Sequence, residues 1–169
     1  MMGRVLITMM LFAAVVAGGA LYYLQVYAYY DEITAAPGDL VLATDTGPQA
    51  LDFRDFRGID SNSSPLRYRA CLTVGALPDG ALLRPLAEPR VAPDWFDCFD
   101  AARIGADLQS GAATAYLGVE NLAYGIDRVI AIYPDGRGFI WHDINACGDA
   151  AFNREPVPDT CPPAPESLQ

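Results

Sequence analysis

The sequence contains no lysine: all 11 of its cationic side chains are arginine, against 21 Asp plus Glu in 169 residues. That absence excludes a Walker A lysine, a Schiff-base lysine and a Ser-x-x-Lys acylation site. The single histidine, His142, excludes a multi-histidine metal centre within one chain. Charged residues make up only 19% of the chain beside 52% hydrophobic ones, a balance foreign to disordered tails and nucleic-acid-binding arms. There is no Cys-x-x-Cys, no Gly-x-Ser-x-Gly and no Gly-rich nucleotide loop. Thioredoxin-like redox chemistry, a hydrolase elbow and nucleotide binding therefore lack their signatures. The length is that of about one domain, and no internal repeat divides it.

What the chain does have begins with an uncharged run, residues 5–24. A helix of that length covers about 30 Å, the hydrocarbon thickness of a bilayer. Its Val, Leu, Ile and Phe residues contribute roughly −3 to −5 kcal/mol to insertion. A spanning helix is expected, with residues 1–33 as anchor. Arg4 precedes the run and Asp31 and Glu32 follow it, so the positive-inside bias puts the N-terminus in the cytoplasm and the rest outside. Tyr22, Tyr23, Tyr27, Tyr29 and Tyr30 fit an aromatic belt at the outer interface. The alternative is a cleaved signal peptide, with Gly18-Gly19-Ala20 or Val26-Tyr27-Ala28 as cleavage sites; the apolar run is longer than the usual signal core. Ala13 with Ala17, and Ala14 with Gly18, recur at four-residue spacing and would let another membrane helix approach closely.

Residues 34–155 are expected to form one exported domain and residues 156–169, with five prolines, an extended tail. From Asp31 onward, 10 Arg against 21 acids leave a formal charge of −11. Such a surface repels phosphate backbones, which disfavours nucleic acid, and could steer a basic protein partner inward. Strand patterns fall at residues 40–44 and 50–53 around Asp45-Thr46-Gly47-Pro48, at 66–74, and at 128–133 and 139–144 around Pro134-Asp135-Gly136. The 128–133 run is apolar on both faces and should lie inside a sheet. One helix is expected over 99–109, capped by Asp97 or Asp100 and ended by Gly111, with Ala101, Ile104 and Leu108 on its buried face. Residues 75–96 read as a long loop. The fold class is α+β: a small, mostly antiparallel sheet with one covering helix behind a transmembrane helix.

Cys71, Cys98, Cys147 and Cys161 all follow the membrane segment, and an even number in an oxidising compartment reads as two disulfides. Of three pairings, Cys71–Cys98 with Cys147–Cys161 is favoured because both close short loops, each contributing roughly 3 kcal/mol. Sharper readings remain beside this one. His142 with Cys147 and Cys161 could hold copper or zinc, and Asp94, Asp97 and Asp100 could ligate calcium without matching an EF-hand. Ser63, Ser64 or Ser110 could join His142 in a triad, and Asn62-Ser63-Ser64 is a glycosylation sequon. Trp95, Phe96, Tyr124 and Trp141 are partner anchors if exposed and core if not.

The run from Trp95 to Asp100, the Tyr124-Gly-Ile-Asp-Arg-Val and Pro134-Asp-Gly-Arg-Gly segments, Trp141-His142, the Leu66-Arg-Tyr-Arg-Ala-Cys run and the tyrosine-rich exit from the membrane carry a resemblance. Together they resemble an uncharacterised family of single-span alphaproteobacterial membrane proteins. That resemblance implies a location and an architecture, and supplies no catalytic residue. Members sometimes carry the label histidine kinase; the exported part is too short for dimerisation and ATP-binding domains, and His142 would face a compartment without ATP. The expected function is a non-enzymatic, membrane-anchored periplasmic accessory protein without cofactor or metal, belonging to an envelope or respiratory complex. A periplasmic sensing or ligand-binding module is the alternative.

Overall fold

The computed structural model describes residues 2–165. The chain forms two compact units, one ending at Asp31 and the other beginning at Glu32. The first is helix α1, Met2–Val26, with no buried residue. It is long and apolar enough to cross a membrane, a property that anchors and signal sequences share. The Thr8 hydroxyl, near its start, bonds back to the carbonyls of Arg4 and Val5 at 2.9 Å, so that donor is satisfied within the helix.

The second unit is built on a six-stranded antiparallel sheet. In chain order the strands are β1 (Asp31–Ile33), β4 (Phe53–Asp60), β5 (Arg69–Val74), β6 (Thr114–Ala123), β7 (Ile126–Ile132) and β8 (Arg137–Ile144), arranged β1-β4-β5-β8-β7-β6. A separate hairpin pairs β2 (Val41–Thr44) with β3 (Gly47–Ala50). The β7–β8 hairpin closes as its Pro-Asp-Gly sequence demands: Gly136 takes φ +87°, its N–H donates to Tyr133, and Asp135 accepts from the Arg137 N–H. β7 and β8 lie inside the sheet and are buried on both faces, which is why their sequences are nearly continuous in β-branched and aromatic residues.

The register sorts side chains cleanly. Ile130 opposes Ile140 and faces a core completed by Leu72, Val74, Tyr68 and the hairpin residues Leu40, Leu42 and Leu51. On the other face Val129 opposes Trp141 and Ala131 opposes Phe139. There Phe99 packs edge-on against Phe139 and Trp141, with centroids 6.0 and 6.3 Å away, and Tyr133 packs on Phe139 at 5.6 Å.

Helix α2 (Ala101–Ser110) begins where Asp100 caps the Arg103 N–H at 3.0 Å and ends on Gly111 at φ +79°. It buries Ile104. The expected helix is thus present, two residues shorter at its start. A second helix, α3 (Ala146–Asn153), replaces the expectation of a single one: Asn145 caps the N–H groups of Cys147 and Gly148. Gly148 lies against Gly125, and a Cβ on either glycine would strike the other's backbone. The hairpin turn is also tighter than expected, two residues rather than four, with Gly47 at φ +114° already in β3. Strands β1, β4 and β6 had no clear sequence signal. The register of β4 shifts between Arg54 and Arg57, where Asp55 is left-handed, and that of β6 shifts between Val119 and Ala123, where Asn121 is. Each bulge breaks the two-residue alternation.

Candidate functional site

Residues 80–84 run as a strap between the two sheets. The Asp45 N–H donates to Gly80 and Leu82 to Ala43 on one side; Arg84 donates to Ala115 and Leu117 to Leu82 on the other. The strap then crosses the face that carries Asp127 and Asp143, which oppose each other on β7 and β8. Both carboxylates are buried, and both receive arginines from the crossing segment: Arg84 Nε to Asp127 at 3.1 Å and Arg90 Nη2 to Asp143 at 3.2 Å. Asp143 also accepts the Glu88 N–H at 3.0 Å. Asp127 further takes the Asn121 N–H at 3.0 Å and Asn145 Nδ2 at 2.7 Å. Buried carboxylates persist only when paired and fully hydrogen-bonded. Arg84, Arg90 and the Glu88 N–H come from the crossing segment, so past the backbone pairs of residues 80–84 these bonds tie that segment to the sheet.

Helix α2 is held on the same face by different means. Cys98 and Cys71 stand at disulfide distance, Cα atoms 6.3 Å apart, just before the helix begins. Tyr133 donates its hydroxyl to Asp107 at 2.7 Å; burial and that carboxylate push the phenol up to about 12. Cys147 and Cys161 form the second close pair, Cα atoms 5.7 Å apart, at α3 and the chain's last described turn.

Between strap and helix lies a groove of about 780 Å³. Leu83, Arg84, Pro85, Leu86 and Glu88 line one wall; Ala101, Ala102, Gly105, Ala106 and Gln109 line the other, with residues 113–115 as part of the floor. It opens to solvent: Leu83 is 63% exposed and Leu86 94%. Leu86 also sits in the left-handed region at φ 57°, which costs about 1–3 kcal/mol for a residue other than glycine. An exposed leucine recovers none of this by burial, so the chain holds an apolar side chain outward against its own conformational preference.

The residues singled out from sequence are dispersed. His142 lies on the sheet face opposite the groove, opposing Arg128 and stacked on Tyr68 with centroids 4.7 Å apart. Arg128 Nε donates to His142 Nε2 at 3.2 Å, so Nδ1 carries the proton and donates it to the Pro65 carbonyl. Both nitrogens are thus engaged. Burial, with Arg128 and Arg69 adding to it against the Pro65 bond, lowers the pKa to about 4. Ser63 pairs with Ser61, Ser64 caps the turn at Pro65–Arg67, and Ser110 donates to Asp107. None of the three bonds His142. Asp97 binds Arg57 at 3.0 Å and Asp100 caps α2. Among the described residues no three His, Cys, Asp or Glu side chains gather into a metal-holding group. Phe96 and Trp141 are core residues, Trp95 and Tyr124 are half-buried, and Asn62 is exposed. The exposed leucines of the groove were missed. Pro85, Pro89 and Gly80 marked a loop, but nothing in the order of residues says which leucine of a loop points outward.

His142 carries a testable pH dependence. The folded protein binds this proton near pH 4 and the unfolded chain near 6.5, so the unfolded state gains it first as pH falls. Stability is therefore full above pH about 6.5 and declines toward pH 4, by up to about 3 kcal/mol. Urea unfolding of wild type and His142→Gln at pH 7 and pH 4 isolates this from the carboxylates. The acid-induced loss should be smaller in the variant.

No curated protein matches this chain, and no solved structure does. A family model, described as a family of unknown function (DUF6446), matches residues 39–162, the span from the hairpin to the second cysteine pair, and the chain belongs to that family.

Proposed function

We propose that this chain is a non-enzymatic, membrane-anchored interaction protein of the periplasm, a small subunit or assembly partner of an envelope or respiratory complex. In this reading α1 is retained as a single span with the N-terminus in the cytoplasm, and its small-residue positions Ala13, Ala14, Ala17 and Gly18 meet another membrane helix. The groove is the contact surface of the exported domain. The observation that carries the reading is Leu86, exposed and left-handed in a segment that ion pairs tie to two buried carboxylates. A preformed surface loses little freedom on binding, which is how rigid walls contribute to affinity. The two cysteine pairs suit an oxidising compartment.

Purification of the tagged full-length protein in mild detergent, followed by a native gel and mass spectrometry, tests this. Recovery in a defined complex at fixed stoichiometry is the expected result. Leu86→Asp and Ala106→Trp, both at exposed positions, should abolish co-migration while leaving the unfolding midpoint within a few degrees of wild type. Migration of the wild type alone would end the stable-subunit reading.

One observation favours a second reading, a ligand-binding module: the groove volume falls in the range of small-molecule sites, about 300–1,000 Å³. A thermal-shift screen of small apolar solutes would raise the unfolding temperature under that reading and leave it unchanged under the first.

A further inference from the structure

We propose that the groove receives an apolar α-helical segment of a basic protein partner, with a lysine or arginine of that segment set against Glu88. This rests on the reading of the groove as the contact surface. Three observations choose a helix and its charge.

The first is the α2 wall. Ala101 with Gly105, and Ala102 with Ala106, form adjacent columns four residues apart, and all four line the groove. Over this first turn and a half the wall carries no bulky side chain, which lets a second helix approach to the short end of the usual interaxial range, about 8 Å; Leu108 and Gln109 close the wall beyond it. Leu83 and Leu86 on the facing wall then supply the bulk that packs between the incoming side chains.

The second is the strap's backbone. A strand would need unpaired main-chain groups along a wall. Along residues 83–89 no extended edge is offered: the Arg84 N–H donates to Ala115, the Pro85 carbonyl accepts from Arg84, the Glu88 N–H donates to Asp143, Pro85 and Pro89 have no N–H, and Leu86 is left-handed. A helix satisfies its own backbone and asks nothing of the wall but apolar surface.

The third is charge. Arg84 and Glu88 are the ionisable residues of the lining. Each of the three Arg84 guanidinium nitrogens is already engaged, with Asp127, the Pro85 carbonyl and the Ile144 carbonyl, and its charge is paired with Asp127. The Glu88 carboxylate is exposed and makes none of the ion pairs among the described residues. The groove therefore presents one uncompensated negative charge, on a domain whose formal charge from Asp31 onward is −11. An acidic segment, an anionic lipid surface or a second copy of this chain would be repelled.

The test uses full-length protein in its native membranes, with a photo-crosslinking amino acid at Leu86, at Ala102, or at exposed Arg137 on the β7–β8 turn as control. Labelled residues are mapped by mass spectrometry. Expected is one segment of one protein, labelled from both groove positions, with the residues labelled from any one position three or four apart, and carrying Lys or Arg. Glu88→Lys should cut the yield at least tenfold, and Glu88→Gln less. Labels two residues apart from a single groove position, labels on lipid or on a second copy, an acidic segment, indifference to Glu88→Lys, or groove yields no higher than at Arg137 would each overturn the proposal. Ala106→Trp and Leu86→Asp separate the two levels. If they abolish co-migration while the labelled segment is not a basic helix, only the partner class is wrong. If co-migration survives both, the groove is not the contact surface.

Discussion

Replacing Asp127 with alanine is expected to destabilise the protein by about 3–5 kcal/mol, the range for removing one partner of a buried ion pair. The size of the loss comes from what is stranded. Arg84, whose side chain is 19% exposed, loses its counter-charge; the Asn121 N–H and the Asn145 amide lose their acceptor. Asn145 is also the cap of α3, so the loss spreads from the strap to the start of that helix. Asp127→Asn is the informative companion. It keeps one carbonyl acceptor but no charge, and should recover part of the stability without restoring the Arg84 pair. Urea unfolding in detergent measures both. A loss under 1 kcal/mol for the alanine variant would mean that the strap is not held by this pair. Because the strap is a groove wall, partner recovery should fall with Asp127→Ala even where the protein is still folded.

Removing the Cys71–Cys98 link is expected to cost about 3.5 kcal/mol, from the chain entropy of a loop with sequence separation 27. The Cys147–Cys161 link, separation 14, should cost about 3 kcal/mol. The two differ more in where the loss is felt. Cys98 lies between Phe96 and Phe99, both buried against the sheet, and immediately before α2. In Cys71→Ala/Cys98→Ala, hydrogen exchange should rise across residues 96–110 and stay low in β7 and β8, whose ladders do not depend on the link. Faster exchange across the whole sheet would show that this pair sustains the global fold instead of fastening one wall of the groove. Reductant should lower the wild-type midpoint and lower the variant's only by the share of the second pair.

Some of this was legible in one dimension because the signals are local. The apolar run of α1, the Pro-Asp-Gly turn between β7 and β8, and the Asp100 and Gly111 caps of α2 each depend on residues within a few positions of one another. Short-range sterics and hydrogen bonding suffice to specify them. β4 and β6 were not legible, because their bulges at Asp55 and Asn121 break the alternation by which a half-buried strand is read. Helix α3 was not legible either: it is short, has no apolar period and carries Gly148 inside it.

The groove belongs to a different category. Asp127 and Asp143 are sixteen positions apart, and their arginines lie in a segment more than forty residues earlier that sequence alone marks only as loop. Charge pairing between such residues has no signature in their order, since it forms only once the β7–β8 register sets the two carboxylates side by side. By itself the sequence determined an apolar N-terminal helix, an acidic α+β domain, the β7–β8 turn and the caps of α2, all governed by contacts a few residues long. Tertiary structure alone decided that two buried carboxylates would fix a loop into a wall, turn Leu86 outward and leave Glu88 unpaired. Burial and long-range pairing are properties of position in space.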